Sequence, residues 1–171
     1  MTGGTTDEDL MRRFQSGSRE AFQELFARYH APINGFFRRR VNDGRAEDLT
    51  QETFLAVIKA IGRYRPEATV RTYLYGIAIK LVYAERRKRS TGSIDGDYQM
   101  PDEHIDDALW IRQALAKLDE QERDILMLRE YEQLSYDEIA HLLGVPLNTV
   151  RSRLFRARLA LKNHLRPVEA A

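Results

Sequence analysis

The segment from Ser135 to Leu154 constrains the fold of this chain more than any other. Ser135 and Glu138 stand three apart, the signature of a capping box that fixes a helix start. Ala140 is small, as two closely crossing helices require. Gly144 follows four residues later, where the chain must turn and where a positive φ is easiest for glycine. Val150 comes six residues after that, placed to pack back against Ile139 and Ala140. An ordinary helical hairpin would also use a capping box and a glycine. The Ala-x3-Gly-x5-Val spacing in apolar surroundings is that of a helix-turn-helix.

Charge separates the two possibilities. The second helix, from about Leu147 to Leu165, carries Arg151, Arg153, Arg156, Arg158 and Lys162, with Arg166 just beyond, and no acid. A helix so one-signed repels itself unless it faces an anion. Arg151 and Ser152 near its start, with Phe155 and Arg156 one turn on, are placed to meet base edges in a major groove, and Asn148, Thr149 and Arg153 flank them. Arginine reads guanine through two hydrogen bonds, and phenylalanine contacts a thymine methyl. Leu154, Leu161 and Leu165 are assigned to the core side. The segment is expected to bind DNA.

Helical periodicity extends through nearly all the rest. Leu10, Met11 and Phe14 define a short helix that Gly17 stops. Ser18 caps a second, carrying Phe22, Leu25, Phe26, Tyr29 and Ile33, which Pro32 should kink. Asn42-Asp43-Gly44 reads as a turn. A third helix has Leu49, Phe54, Val57, Ile58 and Ile61 as apolar positions and ends at Gly62. A loop from Arg63 to Thr69 contains Pro66. The fourth helix places Tyr73, Leu74, Ile77, Ala78 and Leu81 on one face and runs into the basic run Arg86 to Arg89. Helical pattern returns with Leu109, Ile111, Leu115 and Leu118, then Ile125, Leu126 and Leu128. The expected fold class is all-α: two small helical domains at 7–89 and 107–166, joined by a flexible linker at 90–106.

The net charge of +1 hides a segregation. Residues 1–90 hold 17 Lys and Arg against 11 Asp and Glu, residues 91–107 hold six acids and no base, and six bases crowd between Arg151 and Arg166. Two basic regions flanking an acidic connector are the footprint of phosphate contact at two places. The linker spans at most about 55–60 Å when extended, more than one DNA turn of about 34 Å. Absence of cysteine fits a reducing compartment, and no long apolar run or signal peptide is apparent, so a soluble, cytoplasmic protein without membrane insertion is expected. His30, His104, His141 and His164 are scattered, with no metal spacing, phosphate loop or nucleophile motif, so neither an enzyme nor a cofactor is expected.

Six stretches, three in each half of the chain, together resemble a known family. Asp48 through Ala60, the Arg63-Tyr64-Arg65 run and Tyr73 through Ala78 are similar to region 2 of bacterial sigma factors. Leu118 through Leu128, Leu134 through Ala140 and Asn148 through Arg158 are similar to region 4. Their order, without a region 3 between them, resembles the extracytoplasmic-function (ECF, group 4) branch of the sigma-70 family, over about residues 7–165. The resemblance implies a dissociable initiation subunit of RNA polymerase. By it, Asp48, Gln51, Glu52 and Leu55 dock on the clamp of the largest core polymerase subunit, and a further contact is made with the polymerase flap. Tyr64, Arg65, Arg71, Tyr73, Lys80, Arg86 and Arg87 would recognise and open the −10 element of promoter DNA, with Tyr75 a further candidate stacking face. Asn148, Thr149, Arg151, Ser152, Arg153, Phe155 and Arg156 would read the −35 element. An anti-sigma factor is an expected partner by the same analogy.

Three positions depart from the family pattern. Tyr73 stands where tryptophan is common. Lys80 replaces a usual asparagine, exchanging base readout for phosphate attraction. Asp119 replaces a proline at the start of region 4, where it makes a good helix N-cap. The competing reading is a helix-turn-helix regulator that does not replace a polymerase subunit. It predicts an N-terminal α/β sensor or receiver domain, whereas the first 90 residues read as helices with a second basic patch.

Overall fold

The structure is a computed structural model and describes residues 3–41, 43–90 and 107–165. Within these lie eight α-helices and one 3-10 turn, with no strand among the described residues. The chain divides into two compact units, residues 1–99 and 100–171. Most of the connector expected at 90–106 lies outside the described residues, as does Arg166.

The first unit contains α1 (Asp7–Gln15), α2 (Arg19–Arg38), α3 (Asp43–Ala60), a 3-10 turn (Ile61–Arg63) and α4 (Val70–Ser90). Thr6 and Ser18 cap the first two helices by accepting the amides of Asp9 and Ala21. Gly17 takes φ +104° between them, a conformation that favours glycine. Helix α2 continues through Pro32 to Arg38. Helix α3 begins at Asp43, so Gly44 belongs to its first turn and not to the turn expected from Asn42 to Gly44. An acidic residue followed by glycine is as compatible with a helix start as with a reverse turn.

Leu10, Met11, Ile33, Phe36, Phe37, Leu49, Leu74 and Ile79 are fully buried and form the core of this unit. Phe14 packs at a tilt against Phe22 and Phe26 against Phe54, each pair with ring centroids 4.8 Å apart. Buried Arg40 lies 3.8 Å over the Phe36 ring and donates to the Phe36 carbonyl at 3.1 Å. The core face of α4 differs from that expected. Val70, Leu74, Tyr75, Ala78, Ile79 and Val82 are buried, whereas Tyr73, Ile77 and Leu81 are half-buried. The face is turned by roughly one residue, about 100°. Helix α4 packs against α3, α1 and α2 together, so it needs a wider apolar surface than one stripe supplies. On α3, of the apolar positions of the helical pattern, Ile58 is exposed and Ile61, beyond the helix, is half-buried.

The second unit contains α5 (Asp107–Ala116), α6 (Glu120–Glu130), α7 (Tyr136–Leu143) and α8 (Leu147–Leu165). Two capping boxes start its helices, Asp119 with Glu122 and Ser135 with Glu138. Gly144 ends α7 at φ +64°, in the left-handed conformation its position required. Helices α5, α6 and α7 all pack on α8. Ile125, Leu128, Leu134, Ile139, Val150, Leu154 and Ala157 form the core. Leu161 and Leu165, assigned to the core side, are only half-buried, and Leu109 and Ile111, apolar positions of the helical pattern, are exposed. Among the described residues no helix is long and apolar enough to cross a membrane.

Candidate nucleic-acid and polymerase interfaces

The buried stripe of α8 fixes what the helix can present. Val150, Leu154 and Ala157 face inward at spacings of four and three. At 100° per residue, Asn148, Arg151, Ser152, Phe155 and Arg156 then fall on the opposite side, and all five are exposed. Phe155 is 68% exposed, a large apolar side chain left in water between cations. Thr149 and Arg153 lie on the flank, half-buried. Arg151 donates to the Asn148 side chain at 3.1 Å, which orients both toward the open face. Arg158 is turned elsewhere: it binds Glu130 at 3.2 Å and the Tyr136 hydroxyl at 3.1 Å, so it ties α8 to α6 and α7.

In the first unit the residues assigned to the −10 element do not form one patch. Tyr73, Lys80 and Arg87 recur every seven residues, so they line one side of α4. Lys80 and Arg87 are exposed, and Tyr73 is half-buried. Tyr64 is buried, edge-on to Tyr73 with ring centroids 5.0 Å apart, and desolvation raises the pKa of both phenols. Arg65 is exposed in the loop and donates to the Tyr64 carbonyl at 3.2 Å. Arg71 sits on another side of the helix, near Tyr29, whose phenol pKa is pushed up by burial first and by its hydrogen bond to Asp7, with the Arg71 charge only partly opposing the rise. Arg86 is half-buried against Tyr83, 5.8 Å from the ring centroid. Tyr75 is buried against Phe36, which removes it as a stacking face.

Helix α3 presents a third surface. Asp48, Gln51, Leu55 and Ile58 follow helical spacing along its exposed side, with Glu52 beside them. Leu55 and Ile58 are 51% and 44% exposed. Ile58 carried no site assignment because an apolar residue at helical spacing reads as core; its place one turn after Leu55 was the available signal that it shares the exposed face. Arg45 also escaped notice. Its guanidinium binds Asp48 at 3.1 Å, Glu52 at 3.8 Å and the buried carboxylate of Glu85 at 2.7 Å. The hydrogen bond and charge from Arg45 hold the Glu85 carboxyl below its usual range. Acids of the α3 surface are thereby linked to the basic end of α4.

The second unit also holds an apolar groove of about 320 Å³. Ile111, Leu115, Leu126, Met127, Tyr131 and Leu161 line it, and Glu130 and Arg158 mark its polar edge. No cluster of potential metal ligands occurs among the described residues.

Two helical units, one with a helix-turn-helix and both with exposed cations on a long helix, define a DNA-binding protein. Residues 25–91 match sigma-70 region 2, and residues 108–161 match sigma-70 region 4. The chain is 34% identical to the RNA polymerase sigma-H factor of Pseudomonas aeruginosa over 95% of each chain. It is 30% identical to the ECF RNA polymerase sigma-E factor of Escherichia coli K12 over 98% of each. Among solved structures it resembles CnrH, determined in complex with the cytosolic domain of CnrY, at 25% identity and a TM-score of 0.74, covering 93% of this chain and 96% of that one. The chain belongs to the sigma-70 family, in its extracytoplasmic-function branch, and is a sigma factor for promoter-specific transcription initiation.

Proposed function

We propose that the two units divide promoter recognition between them while the α3 surface holds core RNA polymerase. The α8 face of Asn148, Thr149, Arg151, Ser152, Arg153, Phe155 and Arg156 reads the −35 element in the major groove. Guanidinium groups supply base contacts and Phe155 meets a thymine methyl. The observation that carries this reading is the open face of α8, with its interface side chains opposite buried Val150, Leu154 and Ala157. On the first unit, Arg65, Tyr73 and Lys80 engage the opened −10 strand, Tyr64 backs Tyr73, and Arg71, Arg86 and Arg87 supply positive charge toward phosphate. Unstacking a base costs a few kcal/mol, offset by its capture in a pocket or on an aromatic face.

Asp48, Gln51, Glu52 and Leu55, joined by Ile58, form the contact with the polymerase clamp, and the apolar groove of the second unit takes the flap. A protein partner of the anti-sigma class covers such polymerase-docking surfaces; CnrH, the structural relative, was solved with the cytosolic domain of CnrY. The domain limits proposed are 7–89 and 107–166, with 90–106 as connector, and the cytoplasm is the compartment such a subunit requires.

Transcription in vitro with purified core polymerase, with and without this protein, on a promoter library tests the proposal. Promoter-specific starts and a stable complex with core are the expected result. A duplex-specific DNA complex without either would favour the regulator reading.

A further inference from the structure

Helix α1 lies ahead of the residues matched to region 2, and the reading above gives it no task. Glu8 and Gln15 stand seven residues apart on it, hence on one side and about 10.5 Å apart along the axis. The Gln15 amide nitrogen donates to the carbonyl of Ile61 at 3.0 Å and to that of Tyr64 at 3.1 Å. The Glu8 carboxylate accepts the Val70 amide at 3.3 Å. One helix face therefore grips the last turn before the 64–69 loop and the first residue after it. Val70 opens α4, where backbone amides lack a partner within the helix, and Glu8 provides one.

The helix is itself anchored. Leu10 and Met11 are fully buried. Asp7 accepts hydrogen bonds from Arg28, at 2.8 Å, and from the Tyr29 hydroxyl. Within the loop, Tyr64 is buried edge-on to Tyr73, and its hydroxyl has no hydrogen-bond partner. Its side chain thus has no polar tether of its own, whereas its carbonyl is held by Gln15. A loop whose two stems are already fixed loses less conformational freedom on binding.

We propose that α1 is a brace for the strand-capturing loop, with Gln15 and Glu8 as positioning residues that hold both its stems in the shape that receives an unpaired promoter base. The proposal rests on the reading of that loop given above. Gln15→Glu keeps size but sets a carboxylate against two carbonyls. Gln15→Lys restores a donor. Glu8→Gln weakens the acceptor at the other stem.

The test uses the full chain bound to core polymerase and a non-template −10 oligonucleotide carrying 2-aminopurine at successive positions. Gln15→Glu should weaken capture about tenfold and abolish the fluorescence rise at the captured base. Melting temperature, core affinity and −35 duplex binding should stay within error, and Gln15→Lys should recover part of the loss. Glu8→Gln should give a smaller loss of the same kind. Unchanged capture in both Gln15→Glu and Glu8→Gln overturns the brace, as does a loss that tracks melting temperature and core affinity. Arg65→Ala and Tyr73→Ala separate the two readings. If they lose capture and the α1 variants do not, only the brace falls; if none of the four matters, the loop reading falls with it.

Discussion

Helices α4 and α8 are nearly equal in length, 21 and 19 residues, and both are basic. They deploy that charge differently. Helix α4 is enclosed by α1, α2 and α3, so its exposed cations are confined to a narrow stripe and to its C-terminal end. Helix α8 keeps a face open over several turns, with Phe155 at its centre. An open face suits a groove in intact duplex, which a helix enters along its side. A narrow stripe beside a loop suits a single strand, whose bases can be drawn out one at a time. On the proposed reading, the burial pattern of each helix, more than its number of arginines, sets the form of DNA it would hold.

The largest expected effects concern the independence of the two units. Leu154→Ala empties a core position 1% exposed and should destabilise the second unit by about 2–5 kcal/mol. Trp110, the single tryptophan, lies in that unit. Its fluorescence should then report unfolding at lower urea, while a later step in circular dichroism, from the first unit, stays in place. Leu74→Ala should reverse the order. One shared transition in both variants would break the comparison at its root.

Next in size is the contrast between reader and holder. Arg156→Ala should cost about 1–3 kcal/mol and relax preference at the −35 element. Arg87→Ala should weaken binding alike on all sequences and lower the salt slope by about one. Competition binding across a promoter library at several salt concentrations separates them. Equal, sequence-blind losses would count against the role given to α8. Below these comes Ser135→Ala, which removes the cap of α7 and should cost about 0.5–2 kcal/mol. The loss should appear in urea melts followed by Trp110, without altering the −35 base preference.

The helix-turn-helix was legible because its determinants are local. Ser135 with Glu138 and Gly144 act within a few residues, and the structure places each in the conformation expected; of the arginines, Arg151 and Arg156 lie on the open face while Arg158 turns to Glu130 and Tyr136. The core face of α4 was not, because three neighbouring helices decide it and none is visible in its own spacing. The exposure of Ile58, Leu109 and Ile111 was not legible for a different reason: an apolar residue on an open helix face has the same periodicity as one in a core. The Arg45–Glu85 pair and the Gln15 grip join residues 40 and more apart in sequence. No local pattern announces such pairs. Among the proposed site residues, the side of the helix on which each falls was therefore legible for α8 and only partly for α4.

The smallest effect sharpens the comparison through acid. Glu85 is nearly buried and bound by Arg45 at 2.7 Å, and its folded carboxyl lies below the usual range. A depressed carboxyl stabilises the fold above its unfolded pKa, about 4.3, and that contribution is lost as pH falls toward the folded value. The counterpart pair in the second unit, Arg158 with Glu130, sits at 3.2 Å with both side chains about half exposed, 46% and 57%. Solvent and salt screen it, as they do most surface pairs. Glu85→Gln should therefore flatten the loss of first-unit stability below about pH 4.3, by no more than about 1 kcal/mol, since Arg45 itself is partly exposed. Glu130→Gln should leave the acid profile of the second unit nearly unchanged. Melts at closely spaced pH values measure both. If the two substitutions flatten their profiles equally, the buried carboxylate does not distinguish the units, and the Arg45 link between the α3 surface and the basic end of α4 acts only as a screened surface pair.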